Sequence, residues 1–114
     1  MSKRPTTIKV DASSVQGEGA YIIFKRLTWG ERRDYLKKYI ALETPEERSK
    51  SSLQFLLDHL VDWNWVDEKG DPLPLPKNAK GEAALYEEEG NFLYKVCGDA
   101  LDGKLEMSEA DLKN

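Results

Sequence analysis

Residues 62–76 constrain the fold of this chain more than any other stretch of the sequence. They read Asp-Trp-Asn-Trp-Val-Asp-Glu-Lys-Gly-Asp-Pro-Leu-Pro-Leu-Pro and directly follow an amphipathic stretch with helical spacing. Each proline lacks a backbone N–H and disfavours helix at the residue before it. The sequence therefore predicts a rigid extended segment after the helix. A turn at residues 68–71 would pair Trp65 and Val66 with Leu73 and Pro74 as a short ribbon.

Two helix starts precede this segment. Thr28 followed by Glu31 has the pattern of a capping box and predicts a helix over residues 29–42. Thr44, with proline next and Glu47 at the third helical position, predicts a second helix that reaches about residue 61. The connection is short, so the two helices should form an antiparallel pair. The apolar stripe of the second helix consists of Leu53, Leu56, Leu57, Leu60 and Val61, widened by Phe55.

The remaining elements follow from residue type and periodicity. Residues 20–27 have the β-branched and aromatic content of a strand, and residues 8–10 form a weaker candidate. Residues 81–101 follow a helical period, with Asn78 as a candidate cap and Gly90 as the point where the helix would divide. Within that period lie Phe92 and Val96.

These elements define the expected architecture. We predict a predominantly helical α+β fold: a short N-terminal strand or hairpin, an antiparallel helix pair, a Trp/Pro-rich turn, and one or two C-terminal helices. One globular domain should occupy residues 20–102. A flexible or strand-bearing segment should precede it at residues 1–19, and a flexible tail should follow at residues 103–114.

Composition narrows the class of function. The net charge is −4, and Lys and Arg gather locally only at Lys25, Arg26, Arg32, Arg33, Lys37 and Lys38. This cluster is typical of a solvated helix face, although a nucleic-acid-binding module stays open as an alternative. The sequence shows neither a signal peptide nor a membrane-spanning run, so we expect a soluble protein in a reducing, intracellular compartment.

The residue set offers little for catalysis or cofactor binding. One cysteine, Cys97, excludes an internal disulfide and a Cys-based zinc site, and one histidine, His59, is the only candidate base. His59 lies beside a leucine-rich stripe, where a packing role is the more common one. Glycine-rich phosphate loops are absent. We therefore expect no cofactor, no metal and no enzymatic activity.

Two groups of acidic residues are further candidate sites. Asp62, Asn64, Asp67 and Asp71 suggest calcium, but Val66 stands where an EF-hand needs an oxygen ligand, so turn formation is the better interpretation. The three consecutive glutamates at residues 87–89 cannot all face one another on a helix, which indicates a solvated face.

The tryptophans allow two interpretations. Trp63 and Trp65 would share a face of an extended chain and close the end of the helix pair as core residues. Alternatively, one of them stays partly exposed and anchors a partner protein, since tryptophan is enriched at interface hot spots. Trp29, at a helix start, is expected to pack under the strand.

The order of these features resembles that of phage and prophage tail assembly chaperones. The resemblance covers roughly residues 20–101. Its matching parts are Phe-Lys-Arg-Leu-Thr-Trp-Gly-Glu at residues 24–31, the helix pair, and Val-Asp-Trp at residues 61–63 leading to Val-Asp-Glu-Lys-Gly-Asp-Pro-Leu-Pro at residues 66–74. That last string is similar to a turn that precedes the C-terminal helix in the family.

The resemblance implies a function without covalent chemistry. Such chaperones bind the long apolar tape measure protein in the host cytoplasm, help to recruit tail tube protein, and are not part of the mature virion. A groove between amphipathic helices suits that task. The candidate contacts are Leu53, Leu57, Trp63, Trp65, Phe92 and Val96, each of which could equally be a core residue. A homo-oligomer stays open. The competing interpretations are a head–tail connector, a small adaptor, and the nucleic-acid-binding module.

Overall fold

The fold combines a three-stranded sheet with helices packed against one of its faces. A computed structural model describes residues 5–77 and 79–105 of the 114-residue chain. The described elements are, in chain order, β1 (Thr7–Asp11), α1 (Ser13–Gln16), β2 (Tyr21–Lys25), α2 (Trp29–Ile40), α3 (Pro45–His59), β3 (Leu60–Trp63), α4 (Ala79–Ala83) and α5 (Glu87–Leu101). The predicted, predominantly helical α+β class is confirmed.

The sheet is antiparallel with the order β1-β2-β3. Ile8 lies opposite Phe24, and Ile22 lies opposite Trp63, with an irregularity in the β2–β3 register between Ile23 and Phe24. Ile22 and Phe24 are buried, whereas Tyr21 and Ile23 on the other face are only partly covered. The alternation expected of a strand with one buried face is therefore present in β2.

β3 was not expected from the sequence. The prediction that the second helix reaches residue 61 is wrong, because α3 ends at His59 and the chain turns extended at Leu60, with ψ of 114°. Lys77 explains how the helix end is satisfied there. Its ammonium group donates to the carbonyl oxygen of Leu57 and, at 2.7 Å, to that of Leu60. A cation from a distant segment thus stabilises the C-terminus of α3, where carbonyl groups lack helical partners.

The two predicted helix starts are confirmed. The Thr28 hydroxyl accepts from the Glu31 amide at 3.1 Å, and the Glu31 carboxylate accepts from the Thr28 amide at 3.1 Å. The Thr44 hydroxyl accepts from the Glu47 amide at 3.2 Å. α2 ends at Ile40 rather than at residue 42. The ring of Tyr35 on α2 lies 4.2 Å from that of Phe55 on α3, which joins the two helices.

The C-terminal helix divides at a different place from the one predicted. The break lies at residues 84–86, between α4 and α5, and Gly90 is in the first turns of α5. Tyr86 has an extended backbone, with ψ of 158°, and its amide donates to the Glu89 carboxylate at 2.8 Å. This contact starts a new helix at residue 87. The predicted cap Asn78 and the end of the predicted tail, residues 106–114, lie outside the described residues.

Candidate partner-binding groove

The Trp/Pro segment, residues 60–76, is a structural part of the core. Trp63 is 7% exposed and Trp65 is 1% exposed, and their rings stack 4.3 Å apart with an interplanar angle of 6°. The Trp63 indole N–H donates to the Leu73 carbonyl oxygen at 2.8 Å. Both tryptophans therefore belong to the core, and neither is the partly exposed anchor that the sequence left open.

The turn within this segment follows the predicted chemistry. The Asp67 carboxylate accepts from the amides of Lys69 and Asp71 at 2.8 and 3.0 Å. Gly70 adopts a φ of +86°, a backbone conformation that glycine tolerates best. Val66 then pairs with Pro72, one residue away from the predicted register, and the Leu73 amide donates to the Trp65 carbonyl oxygen at 2.9 Å. Asp67 thus acts as a turn former.

Two amide side chains fasten the segment to the N-terminal part of the chain. The Asn64 amide accepts from the Tyr21 N–H at 2.8 Å and donates to the Gly19 carbonyl oxygen at 3.0 Å. The Gln16 amide accepts from the Val66 N–H at 2.9 Å, and its nitrogen lies within hydrogen-bonding distance of the Val66 carbonyl oxygen, at 3.1 Å, and of the buried Glu89 carboxylate. Gln16 thereby joins α1, the Trp/Pro segment and α5, a role that sequence reasoning missed.

An apolar groove opens on the surface between α3, α4 and α5. Its volume is about 290 Å³. The apolar walls include Leu53, Leu57, Pro76, Leu85, Leu93 and Tyr94. Glu82 and Glu87 are the charged residues among those that line it, and Asn91 adds a neutral polar group. The groove is therefore an apolar trough with an acidic rim.

Only part of the predicted contact set reaches this groove. Leu53, half-buried, and Leu57, buried, line it. Val96 is buried in the core, and Phe92 packs near Trp65, with ring centroids 6.1 Å apart. These two residues, like Trp63 and Trp65, do not line the groove.

The side of the groove formed by α5 was missed in the sequence. Tyr86, Gly90 and Tyr94 follow one another at intervals of four residues and all line the groove. Such spacing places residues on one face of a helix, so the pattern could have been found. It was missed because Gly90 was interpreted as a break in the helix and because glycine contributes no apolar side chain.

Both tyrosines of the groove are uncharged at neutral pH. The Tyr86 hydroxyl donates to the Glu68 carboxylate, and this hydrogen bond raises the pKa of Tyr86 above its ordinary value. Partial burial raises the pKa of Tyr94. Neither ring adds a charge, so the electrostatic character of the rim comes from the glutamates.

His59 is a packing residue. It is buried, its ring lies 4.3 Å from that of Phe55, and its Nδ1 lies 2.8 Å from the Phe55 carbonyl oxygen. Its Nε2 lies 3.4 Å from the Glu31 carboxylate. Cys97 is also buried, which raises the pKa of its thiol to about 11. The contacts of His59 support its expected structural role. The burial of Cys97 keeps its thiol in the neutral, unreactive form.

Trp29 contradicts its prediction. Its side chain is 85% exposed, so the expectation that it packs under the strand is wrong. It occupies the first position of α2, a helix that has no buried residue. The helix contacts the rest of the protein through partly covered residues such as Tyr35, and its first turn extends beyond the edge of the core.

Comparisons with family models, with curated proteins and with solved structures found no match to this chain. Among the described residues, no helix is both long and apolar enough to cross a bilayer.

Proposed function

We propose that this chain is a non-catalytic tail assembly chaperone that holds an apolar helical segment of a phage tape measure protein in the groove between α3 and α5. The observation that carries the proposal is the groove itself, an open apolar surface flanked by carboxylates. An amphipathic helix binds such a groove by inserting side chains from one face. Basic residues on the flanks of that helix would meet Glu82 and Glu87.

The Trp/Pro segment supports the proposal by shaping the groove. Pro76, at its end, forms part of the wall, and Lys77 next to it holds the C-terminus of α3. Trp63 and Trp65 stack on each other in the core. The string most similar to the chaperone family ends at Pro74, two residues before the proline that forms part of this wall. By the same resemblance, tail tube protein is the second expected partner.

Gly90 offers a direct way to block the groove. It lines the groove, and a Cβ atom built at this position meets no other atom within 4 Å. A leucine there would project into the groove without disturbing the core, and it favours helix more than glycine does. Gly98 is a matched control, because it lies on α5, has equal space for a Cβ atom, and does not line the groove.

The experiment is co-expression of each variant with the tape measure protein encoded beside its gene. The wild type and Gly98→Leu should raise the soluble yield of that protein several-fold, whereas Gly90→Leu should give the yield seen without chaperone. An equal effect of both leucine variants, or no increase with the wild type, would overturn the proposal. Stable incorporation of the chain into purified tails would instead identify a connector.

A further inference from the structure

Trp29 is the most exposed large apolar side chain among the described residues. A large aromatic residue in that position is costly to leave in water and is typical of interface hot spots. Trp29 also lines a shallow depression together with Leu27, Ala100 and Leu101, at the C-terminal end of α5. The Trp29 side chain therefore lies on the surface next to the C-terminal end of α5.

The surroundings of Trp29 are basic. Residues 25–34 contain four Lys and Arg residues against Glu31 and Asp34, and the Asp34 carboxylate lies 3.6 Å from Arg33, so the net charge stays positive. Arg26 donates to the Pro5 carbonyl oxygen and Arg32 to the Leu101 carbonyl oxygen, so both guanidinium groups are held against the backbone. Lys25 and Arg33 are exposed. We call Trp29 with Lys25 and Arg33 the tryptophan knob.

The groove has the opposite character. Glu82 and Glu87 line it, and neither Lys nor Arg is among its lining residues. Its volume of about 290 Å³ gives space for one large side chain. An apolar cavity with acidic flanks and an apolar knob with basic flanks are complementary in both polarity and charge.

A single copy cannot bring these two surfaces together. The knob lies beside Leu101, whereas the groove extends along α5 only as far as Tyr94. Seven helical residues separate these positions, which corresponds to roughly 10 Å along the axis. The occupant that fits the groove from within this protein is therefore the knob of another copy.

We propose that copies of this chain that hold no partner associate head to tail, with Trp29 of one copy inserted between α3 and α5 of the next. Such a contact is heterologous, because the two copies use different surfaces, and it can continue into rings or longer chains. A tryptophan buries about 150–250 Å², well below the area of a stable interface. The association is therefore weak, dependent on concentration, and reduced by salt. A partner helix in the groove displaces it.

Sedimentation velocity over a concentration series tests the contact. The wild type should shift to larger species with increasing concentration, less so at high salt, while Trp29→Ala and Gly90→Leu should each remain monomeric. Ile40→Ala is the matched control, since Ile40 is 75% exposed at the other end of the same helix, and it should behave as wild type. A mixture of Trp29→Ala with Gly90→Leu should form a dimer and nothing larger, because each supplies the surface that the other lacks.

Three outcomes would overturn the proposal: a wild type that is monomeric at all concentrations, a Trp29→Ala variant that still associates, or a mixture that stays monomeric. Binding of a single-stranded oligonucleotide that needs Trp29, in a protein that does not self-associate, would assign the knob to nucleic acid instead. The proposal is separable from the chaperone function, because Trp29→Ala leaves the groove intact and should still increase the yield of the tape measure protein.

Discussion

Trp63 and Trp65 on one side and Trp29 on the other show how differently the same residue type can be used within one small protein. The first two are almost completely buried and stack on each other, whereas Trp29 is 85% exposed. Trp63 pairs with Ile22 at the centre of the sheet, and Trp65 lies near Phe92 of α5. Trp29 begins a helix that contributes nothing fully buried. Burial is thus decided by which element covers a residue.

The comparison assigns different roles to the two regions. The Trp/Pro segment contributes its tryptophans to the core and Pro76 to the wall of the groove, and the first turn of α2 presents a residue to the solvent. Mutations in the first region should therefore act on stability, and mutations in the second on association.

Trp65→Ala should cause the largest loss of stability, about 3–5 kcal/mol, because it leaves a cavity in the middle of the core. Its indole N–H has no hydrogen-bond partner among the described residues, so the loss comes from packing. Trp29→Ala should change the free energy of unfolding by less than about 0.5 kcal/mol. Urea unfolding followed by circular dichroism measures both. Similar losses in the two variants would refute the division of roles.

Gln16→Ala should cost about 1–3 kcal/mol, since it removes the hydrogen bonds to the exposed Val66 backbone and takes one of two partners from the buried Glu89 carboxylate. Gln54→Ala is the control, because Gln54 bonds only to exposed Asp58 on the surface of α3. Thermal unfolding of the two variants gives the comparison. A Gln16 variant as stable as the control would mean that the Trp/Pro segment is held by its tryptophans alone.

Glu31→Gln should have the smallest effect, near the lower end of about 0.3–1 kcal/mol, because the side chain is partly exposed. The hydrogen bond from the Thr28 backbone lowers the pKa of Glu31, so the carboxylate stabilises the folded state above its ordinary pKa of 4.5. That contribution is lost as the pH falls through the lowered value.

Urea unfolding at pH 7 and at pH 3 tests the sign of this effect. The difference between wild type and Glu31→Gln should be present at pH 7 and shrink at pH 3, while Glu43→Gln, in the exposed connection between the helices, should show no difference at either pH. A difference that grows towards pH 3 would contradict the assigned role of Glu31.

Local signals made part of the fold predictable. Thr28 with Glu31, and Thr44 with Pro45, specify helix starts through residues within one turn of each other, and both starts are where the sequence placed them. The turn at Gly70 is equally local. β3 was missed because Leu60 and Val61 continue the apolar spacing of the preceding helix. Their extended conformation depends on pairing with β2, where Leu60 lies opposite Phe24 and Trp63 opposite Ile22, about 40 residues earlier.

The site was less predictable than the fold, because it too depends on contacts between residues that are far apart in the sequence. Leu53 and Leu57 were found because they belong to a regular apolar stripe. Which side of that stripe stays open depends on how α3 packs against α5, and no local pattern encodes that. Trp29 is exposed because no described helix or strand packs over it. Its residue type alone therefore led to the wrong prediction that it is buried under the strand.

We propose that a partner binds the groove and not the tryptophan-bearing strand and turn at residues 60–72. The most direct test is to add an apolar helical fragment of the proposed partner, a tape measure protein, to the ¹⁵N-labelled chain and follow the amide resonances of the chain. We predict that the largest shifts map to residues 53–57 and 82–94, and that they vanish in Gly90→Leu. Shifts concentrated at residues 60–72, with the groove unchanged, would contradict the claim.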